Sequence, residues 1–197
     1  MESITIALAI CASLVQLVGY WIYNKEVFAG RIKPNVSSWF LWGLGSALSA
    51  WSYIELSEDW VKSLLPVTCA IVCILTFLFA LLRGSYEKPD KYDLSICVLD
   101  VLVIGFWFLT ESDEYTNLLF QFDVVLSFIP IIRGTWKKPG DEKALPWMIW
   151  SFAYVLFLVT VLLRYEKWWD LMYPINYLVL HIAVVFIVVR SRLRKSL

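Results

Sequence analysis

Seven apolar stretches, each about as long as a helix that crosses a lipid bilayer, follow one another along this chain with only short polar segments between them. They cover roughly residues 4–24, 36–56, 64–83, 93–110, 117–134, 145–164 and 171–190. A bilayer core requires about 20 mainly apolar helical residues per crossing, and backbone inside hydrocarbon must satisfy its hydrogen bonds within the segment. The sequence therefore predicts an all-α membrane protein with seven transmembrane helices in a single membrane domain, residues 1–197.

The basic residues indicate how these helices are oriented. If the crossings alternate, all of the 17 basic residues except Lys62, Arg164 and Lys167 fall on one side, and most acidic residues fall on the other. The positive-inside rule assigns the basic side to the cytoplasm. We therefore expect a multi-pass protein of the cell membrane with its N-terminus outside and its C-terminus in the cytoplasm. The first apolar stretch has no basic segment before it and is interpreted as a retained span.

Other functional classes find little support in the composition. The net charge is zero, so no overall basic field attracts nucleic acid. The four cysteines lie in apolar stretches, which argues against a disulfide framework. Cys69 and Cys73 share a helix face but have no further ligands nearby, so we interpret them as small core residues and expect no metal or other cofactor. The chain lacks GxSxG, HExxH and P-loop signatures, so we do not expect the protein to be an enzyme.

An internal repeat relates the first and last parts of the chain. When 108 is added to positions in the first part, three tryptophans and one proline align with the same residue types in the last part, without a gap. The aligned pairs are Trp39 and Trp147, Trp42 and Trp150, Trp60 and Trp168, and Pro66 and Pro174. The spacing predicts a three-helix repeat at 1–84, a linker helix at 92–112 and a second three-helix repeat at 116–192. Because an even number of crossings separates the two copies, they run in parallel across the membrane.

The polar segments before the second and sixth spans, KPNVSS and DEKALP, predict helix starts near the cytoplasm. Ser37 or Ser38 is suited to cap the second span. Trp39 and Trp147 are placed by this pattern in the interfacial belt of the membrane.

A 3+1+3 parallel repeat with this orientation resembles the SWEET sugar transporters and the wider PQ-loop superfamily. The segment FIPIIRGTWKKPGDEKALPWMIWSF resembles the PQ-loop pattern, with Pro130 at the motif proline and Ile131 where glutamine is usual. In the first copy Ile22 occupies the position of the proline. The Pro174-Ile175-Asn176 stretch resembles the helix that carries a substrate-binding asparagine in SWEET-type proteins, and the resemblance implies this role for Asn176.

Small polar residues recur at matching positions of the two copies. Ser52 pairs with Thr160, and Thr68 pairs with Asn176, under the same offset. Two interpretations remain open: a ring that binds a small solute in a central cavity, with Trp51 offering an aromatic face, or adhesion between helices.

Ionisable groups inside the spans are the other candidates, because such groups are costly unless they face protein or water. Asp100 and Asp123 lie at comparable distances from the loop between spans four and five, so the two carboxyls can approach each other. One reading is a proton carrier, because burial disfavours the charged carboxylate; the other is a structural carboxyl. For His181, a hydrogen-bonded core residue and a proton relay both remain open.

These observations predict a carrier or facilitator for a small polar solute, sugar-like or vitamin-like, that works by alternating access between the two repeats. The alternative is a membrane receptor or sensor with the same fold and no transport activity. The expected partners are the solute and membrane lipids, with no nucleic acid, and association into homo-oligomers is left open.

Overall fold

The computed structural model describes residues 1–57, 59–83, 86, 88–107, 109 and 113–193, without the side chains of 49, 52, 53, 55–57, 83, 107, 113–118, 192 and 193. The prediction of an all-α protein is confirmed for this part of the chain, which contains no β-strand. Its helices are α1 (Glu2–Phe28), α2 (Val36–Ser57), α3 (Trp60–Arg83), α4 (Lys91–Trp107), α5 (Asp113–Lys137), α6 (Ala144–Leu163) and α7 (Met172–Leu193), with short 3₁₀ turns at Pro139–Asp141 and Trp168–Leu171.

Five of the helices are long and apolar enough to cross a membrane: α1, α3, α5, α6 and α7. The protein is therefore suited to embedding in a membrane. The other two differ for visible reasons: α2 contains many Trp, Ser and Gly residues, and α4 has only 17 residues. Crossing of the membrane by all seven helices stays a prediction.

The helices pack in two groups of three. In the first group α3 contacts both α1 and α2, and in the second group α7 contacts both α5 and α6. The groups meet where α1 packs on α6 and where α2 packs on α5. Helix α4 lies outside these two groups and packs mainly on α5, with a smaller contact to α2.

The connecting segments collect at two opposite ends of the bundle. At one end, here called the basic end, the Lys33 N–H donates to the Asp141 carbonyl at 3.1 Å, and Arg133 pairs with Asp90 at 2.6 Å. At the other end, called the acidic end, Arg164 donates to Asp59 at 2.6 Å and to the Thr5 hydroxyl at 3.0 Å. The loops α1–α2, α3–α4 and α5–α6 therefore share one end, and the turns α2–α3 and α6–α7 share the other.

The start of α2 differs from the expectation that Ser37 or Ser38 caps it. The cap is Asn35, whose side-chain oxygen accepts the Ser38 N–H at 3.0 Å. The Ser38 hydroxyl instead accepts the Ile131 N–H of α5 at 3.0 Å. Pro130 precedes Ile131 inside α5, and a proline disturbs the hydrogen bonds of a helix around it. Ser38 thus ties α2 to α5 at the position of the motif proline.

A buried ion pair joins the two groups of helices at the acidic end. The Lys62 ammonium is 3.0 Å from Asp170 and 3.3 Å from Glu166, and the Lys62 side chain is 0% exposed. Lys62 and Asp170 are 108 positions apart in the chain. The third span is predicted from residue 64 onward, so the prediction leaves Lys62 in a polar segment, whereas Lys62 lies in the first turn of α3.

We predict that replacing Lys62 by Met destabilises the protein by about 3–5 kcal/mol, because it removes one partner of a buried ion pair. Thermal unfolding in detergent measures the change. The matched control is Arg31→Met, which breaks the exposed Arg31–Glu26 pair; exposed pairs contribute little, so we expect almost no change. Equal effects of the two substitutions would contradict this account of the acidic end.

Candidate functional site: an aromatic cavity between the helix groups

Four tryptophans meet in the centre of the bundle, and we call them the tryptophan quartet: Trp39 and Trp42 of α2, and Trp147 and Trp150 of α6. Each is at most 5% exposed. The placement of Trp39 and Trp147 in an interfacial belt is therefore wrong. Their indole N–H groups are satisfied inside the protein, since Trp39 donates to the Tyr23 hydroxyl at 3.2 Å and Trp147 donates to Glu142 at 3.0 Å.

The ring contacts of the quartet occur in matched pairs. Within α2 the centroids of Trp39 and Trp42 are 5.0 Å apart, and within α6 those of Trp147 and Trp150 are 5.1 Å apart. Between the helices, Trp39 contacts Trp150 at 6.2 Å, and Trp42 contacts Trp147 at 5.8 Å. Reciprocal contacts of this kind are typical of an interface with two-fold symmetry.

The matching extends to the rings of α1 and α5. Tyr20 is 4.8 Å from Trp150, and Phe128, which is 108 positions after Tyr20, is 4.8 Å from Trp42. Tyr20 also contacts Cys73, and Phe128 contacts His181. Cys73 and His181 are again 108 positions apart. Four different helices therefore contribute side chains that are 108 positions apart in pairs to the same centre.

These side chains enclose a cavity of about 10 Å³, which is room for about one water molecule. Its walls are mostly aromatic, with a few hydroxyl, thiol and imidazole groups. The lining residues are Tyr20, Trp39, Trp42, Ser46, Cys69, Cys73, Phe128, Trp147, Trp150, Tyr154, Tyr177 and His181. No Asp, Glu, Lys or Arg is among these lining residues.

Several polar atoms at the wall already have partners. The Tyr20 hydroxyl is 2.9 Å from the Cys73 sulfur, and the Tyr154 hydroxyl is 3.5 Å from the Cys69 sulfur. The buried Trp42 N–H differs, because no hydrogen-bond acceptor for it is found among the described residues. A buried donor without a partner is costly, and at a cavity wall it can be satisfied by an oxygen atom of a ligand.

His181 lies in the cavity wall, and its Nδ1 is 2.7 Å from the Tyr177 carbonyl of the same helix. Rings of Phe128, Trp147 and Tyr154 surround it with centroids 5.1–5.3 Å away. A ring nitrogen next to a carbonyl oxygen must carry the proton to form a hydrogen bond. This contact orients the imidazole, and the choice between a core histidine and a proton relay stays open.

A buried carboxyl group at the basic end binds the cavity residue Trp147. Glu142, in the loop before α6, accepts hydrogen bonds from the Tyr23 hydroxyl at 3.1 Å and from the Trp147 N–H at 3.0 Å. Only 2% of the residue is exposed. Burial raises the pKa of Glu142 to about 8, and the bonds from Trp147 and Tyr23 oppose this increase only in part.

The small polar residues predicted to bind solute do not come together at this cavity. The hydroxyls of Thr68 and Thr160 donate to carbonyls of their own helices, Leu64 at 2.8 Å and Leu156 at 3.0 Å. Asn176 donates to the main-chain and side-chain oxygens of Gln121 at 2.9 and 3.1 Å.

Trp51 is 55% exposed on the outside of α2. The Ser52 side chain lies outside the described part of the structure. The described small polar residues therefore do not share one site in this structure, and a solute-binding role for them stays a prediction.

Asp100 and Asp123, by contrast, lie together. Asp100 on α4 is 0% exposed and Asp123 on α5 is 1% exposed, and their carboxyls are close enough to interact directly. On the α2 side they are covered by Gly45, where a Cβ atom would lie 3.1 Å from Asp123 Oδ2. Apart from this mutual contact, no N–H or O–H donor among the described residues reaches either oxygen of Asp100 or Oδ1 of Asp123.

Sequence reasoning missed Tyr20, Tyr154 and Tyr177 of the cavity wall, and it also missed Glu142, which binds the wall residue Trp147. The tyrosines lie in helices that are apolar on every side, where periodicity does not separate the interior face from the lipid face. One signal was available, because Tyr20 is 108 positions before Phe128 and both precede a tryptophan pair in the repeat. Glu142 gave no signal, because a charged residue in a short loop is typical of a solvated surface.

Comparison with protein-family models, with curated proteins and with solved structures gave no match for this chain.

The quartet leads to a prediction about Gly19 of α1. A Cβ atom at Gly19 would lie 2.4 Å from Trp150 Nε1, so Gly19→Ala must displace the indole that donates to the Gln16 carbonyl. We expect a loss of about 1–3 kcal/mol, as for other overpacked cores.

The control for this prediction is Gly105→Ala in α4, where nothing lies within 4 Å of the added Cβ. Replacing a helical glycine by alanine in open space stabilises a helix by about 0.5–1 kcal/mol. Thermal unfolding of both variants in detergent compares them, and destabilisation by Gly105→Ala alone would refute the close packing of Trp150 on α1.

Proposed function

We propose that the protein is a membrane carrier or facilitator for a small polar solute, and that it works by alternating access between two three-helix copies related by an approximate two-fold axis. The observation that carries the proposal is the aromatic cavity, whose walls are built from residues 108 positions apart in reciprocal contact. A site between two related units that can move against each other is the arrangement that many transporters use.

The packing of the helices supports two copies of one unit. Helix α3 contacts α1 and α2 in the first group, and α7 contacts α5 and α6 in the second. If α1, α2 and α3 correspond to α5, α6 and α7, the contact between α1 and α6 corresponds to the contact between α5 and α2. The Lys62–Asp170 pair at the acidic end and the Lys33–Asp141 contact at the basic end each join residues 108 positions apart. Equivalent residues meet each other only near a symmetry axis, so both contacts are expected near an axis that runs through the bundle.

The closed ends support alternating access. Access from the acidic end is restricted by the Lys62–Asp170 and Arg164–Asp59 pairs, which cross between the two groups. Access from the basic end is restricted by Glu142 and its partners. A cavity with room for about one water molecule must widen to admit a solute, and movement of one helix group against the other separates the rings that fill it.

The wall of the cavity indicates the chemistry of the solute. Indole and phenol rings stack on flat rings and on the apolar faces of sugars, and the unpaired Trp42 N–H offers a donor to a solute oxygen. We therefore propose a neutral sugar-like or vitamin-like compound. The receptor alternative predicts that the same cavity binds such a compound without moving it across the membrane.

Uptake into proteoliposomes, screened with labelled monosaccharides and ring-containing vitamins, tests the proposal. Once a substrate is found, we expect Trp42→Phe to lower uptake by about twofold to tenfold, because one hydrogen bond contributes about 0.5–1.5 kcal/mol. The control Trp21→Phe changes an outward-facing ring that is 65% exposed and leaves uptake unchanged. Binding without uptake for every compound that binds would contradict a carrier and favour the receptor.

We further propose that Asp100 and Asp123 hold one proton between them. Two carboxyls in contact inside a low-dielectric interior cannot both ionise at modest cost. Cys97 approaches Asp100 from within α4, and Tyr177 approaches Asp123 from α7; neither of these is a cation that could neutralise the pair. A proton that leaves during the transport cycle would couple solute movement to a proton gradient.

The expected result is that a proton gradient drives accumulation of the substrate in the wild-type protein. Asp100→Asn and Asp123→Asn each abolish this accumulation but retain exchange of substrate across the membrane. The control is Asp90→Asn at the exposed basic end, and we expect this variant to retain accumulation of the substrate. Unchanged accumulation in both Asn variants would make the pair purely structural.

A further inference from the structure

We infer that Glu142 is a proton-binding latch, which must lose its proton when the basic end of the cavity opens. The inference rests on the proposed carrier function and adds a regulation of the same cavity. It is separate from the aspartate pair, because Glu142 lies in the loop before α6 and the two aspartates lie in α4 and α5.

The geometry makes Glu142 a bridge between the two helix groups. Its carboxyl accepts from Tyr23 of α1 and from Trp147 of α6, and the Tyr23 hydroxyl accepts in turn from Trp39 of α2 at 3.2 Å. Three helices are thus connected through one carboxyl group and one hydroxyl. If the first group moves away from the second at this end, the hydrogen bond between Glu142 and Tyr23 must break.

Opening also changes the solvent around the carboxyl. The neighbouring residue Asp141 lines a polar cavity of about 440 Å³ at the basic end, together with Lys33 and Lys137. Glu142 is screened from this space in the closed arrangement, with 2% of its surface exposed. Parting of the two groups brings the carboxyl into contact with water, in which the charged form is stable.

Among the residues that the structure describes, the charged and titratable groups around Glu142 do not include a cation that pairs with it. Tyr23 faces it from α1, and Asp141 is adjacent in the turn after α5. Lys143 contributes its main-chain N–H, and its side chain lies near Glu26. From α7, His181 lies behind the Trp147 ring, with 5.3 Å between the ring centroids.

The sign of the pH effect follows from the two states. In the closed state burial raises the pKa of Glu142 to about 8, and in an open, solvated state the value is about 4.3. Between these values, opening releases one proton, so the closed state is favoured at low pH and opening increases with pH. The ratio of open to closed molecules changes by up to about tenfold per pH unit and becomes constant above the closed-state pKa.

The proton leaves to the basic end and returns from the same side when that end closes. No proton crosses the membrane through Glu142. The latch therefore makes the rate of opening depend on the pH at one face, whereas the aspartate pair would make accumulation depend on the proton gradient. The two roles are separated by experiments at equal pH on both sides.

The native cysteines of the cavity provide the measurement. In a background with Cys11→Ser and Cys97→Ser, the thiols that remain are Cys69 and Cys73, which are 1% and 4% exposed in the cavity wall. A membrane-impermeant maleimide applied at the basic end modifies them only after that end has opened. The rate is measured in sealed vesicles between about pH 5 and about pH 9, with the same pH on both faces and with substrate uptake recorded in parallel.

The control is Glu142→Gln in the same background, because it is neutral at every pH and keeps the shape of the side chain. Dividing the wild-type rate by the Glu142→Gln rate at each pH cancels the ionisation of the thiols. We expect this ratio to rise by up to about tenfold per pH unit and to level off near pH 8. Tyr23→Phe removes a hydrogen bond that stabilises the charged carboxylate of Glu142. We therefore expect the ratio of labelling rates for this variant to continue rising to a higher pH than in the wild-type protein.

A ratio that stays constant with pH, while uptake is intact, would overturn the latch and leave the carrier in place. Absence of labelling from either face at every pH, together with absence of uptake, would overturn the carrier and the latch with it. The latch would be supported if the ratio of labelling rates rises with pH in the wild-type protein and if this rise extends to higher pH in Tyr23→Phe. A glutamate with a merely structural role would change the stability of the protein but would not change the pH at which the ratio levels off.

Discussion

The packing of the tryptophan quartet is the interaction on which the rest of the structure depends. Trp39 and Trp42 of α2 contact Trp147 and Trp150 of α6 ring against ring, and each indole presents an apolar face and one N–H that needs an acceptor. Large aromatic side chains contribute much of the packing energy in any core, and in a membrane the interior must be held by such packing because lipid is equally apolar. The absence of a side chain at Gly19 allows Trp150 to lie against α1, so the quartet also sets how closely the two groups approach.

Polar groups are placed where the apolar centre ends. At the acidic end Lys62 and Arg164 bridge the helix groups through ion pairs with carboxylates, and at the basic end Glu142 joins the groups through a hydrogen bond from Tyr23. Burial raises the pKa of the Glu142 carboxyl. The two ends thus differ in the kind of contact that joins the helix groups. This asymmetry agrees with the sequence, in which Pro34 occupies the position equivalent to Glu142.

Much of the fold could be predicted from the sequence, because helix length and hydropathy depend on composition along the chain. The seven helices occur close to their predicted bounds, and the 108-residue offset identifies the residues that meet in the centre. The direction of individual side chains could not be predicted in the same way. In a helix that is apolar all around, the local sequence is the same whether Trp39 faces the lipid or the core. Only tertiary contacts distinguish the two positions. Lys62 and Glu142 were missed for a related reason, since charge near a helix end normally indicates solvent, whereas here each group has partners from the opposite helix group.

The central claim is that two equivalent helix groups move against each other around the quartet. Paired spin labels at equivalent positions test it most directly: residues 60 and 168 at the acidic end, and residues 28 and 136 at the basic end, all of which are more than half exposed. Pulsed electron resonance gives the distance distribution of each pair with and without substrate and across pH. The account predicts two populations at each end that change in opposite directions, so that the 60–168 distance lengthens in conditions where the 28–136 distance shortens. A single unchanged distribution at both ends, or distances that lengthen together, would contradict it.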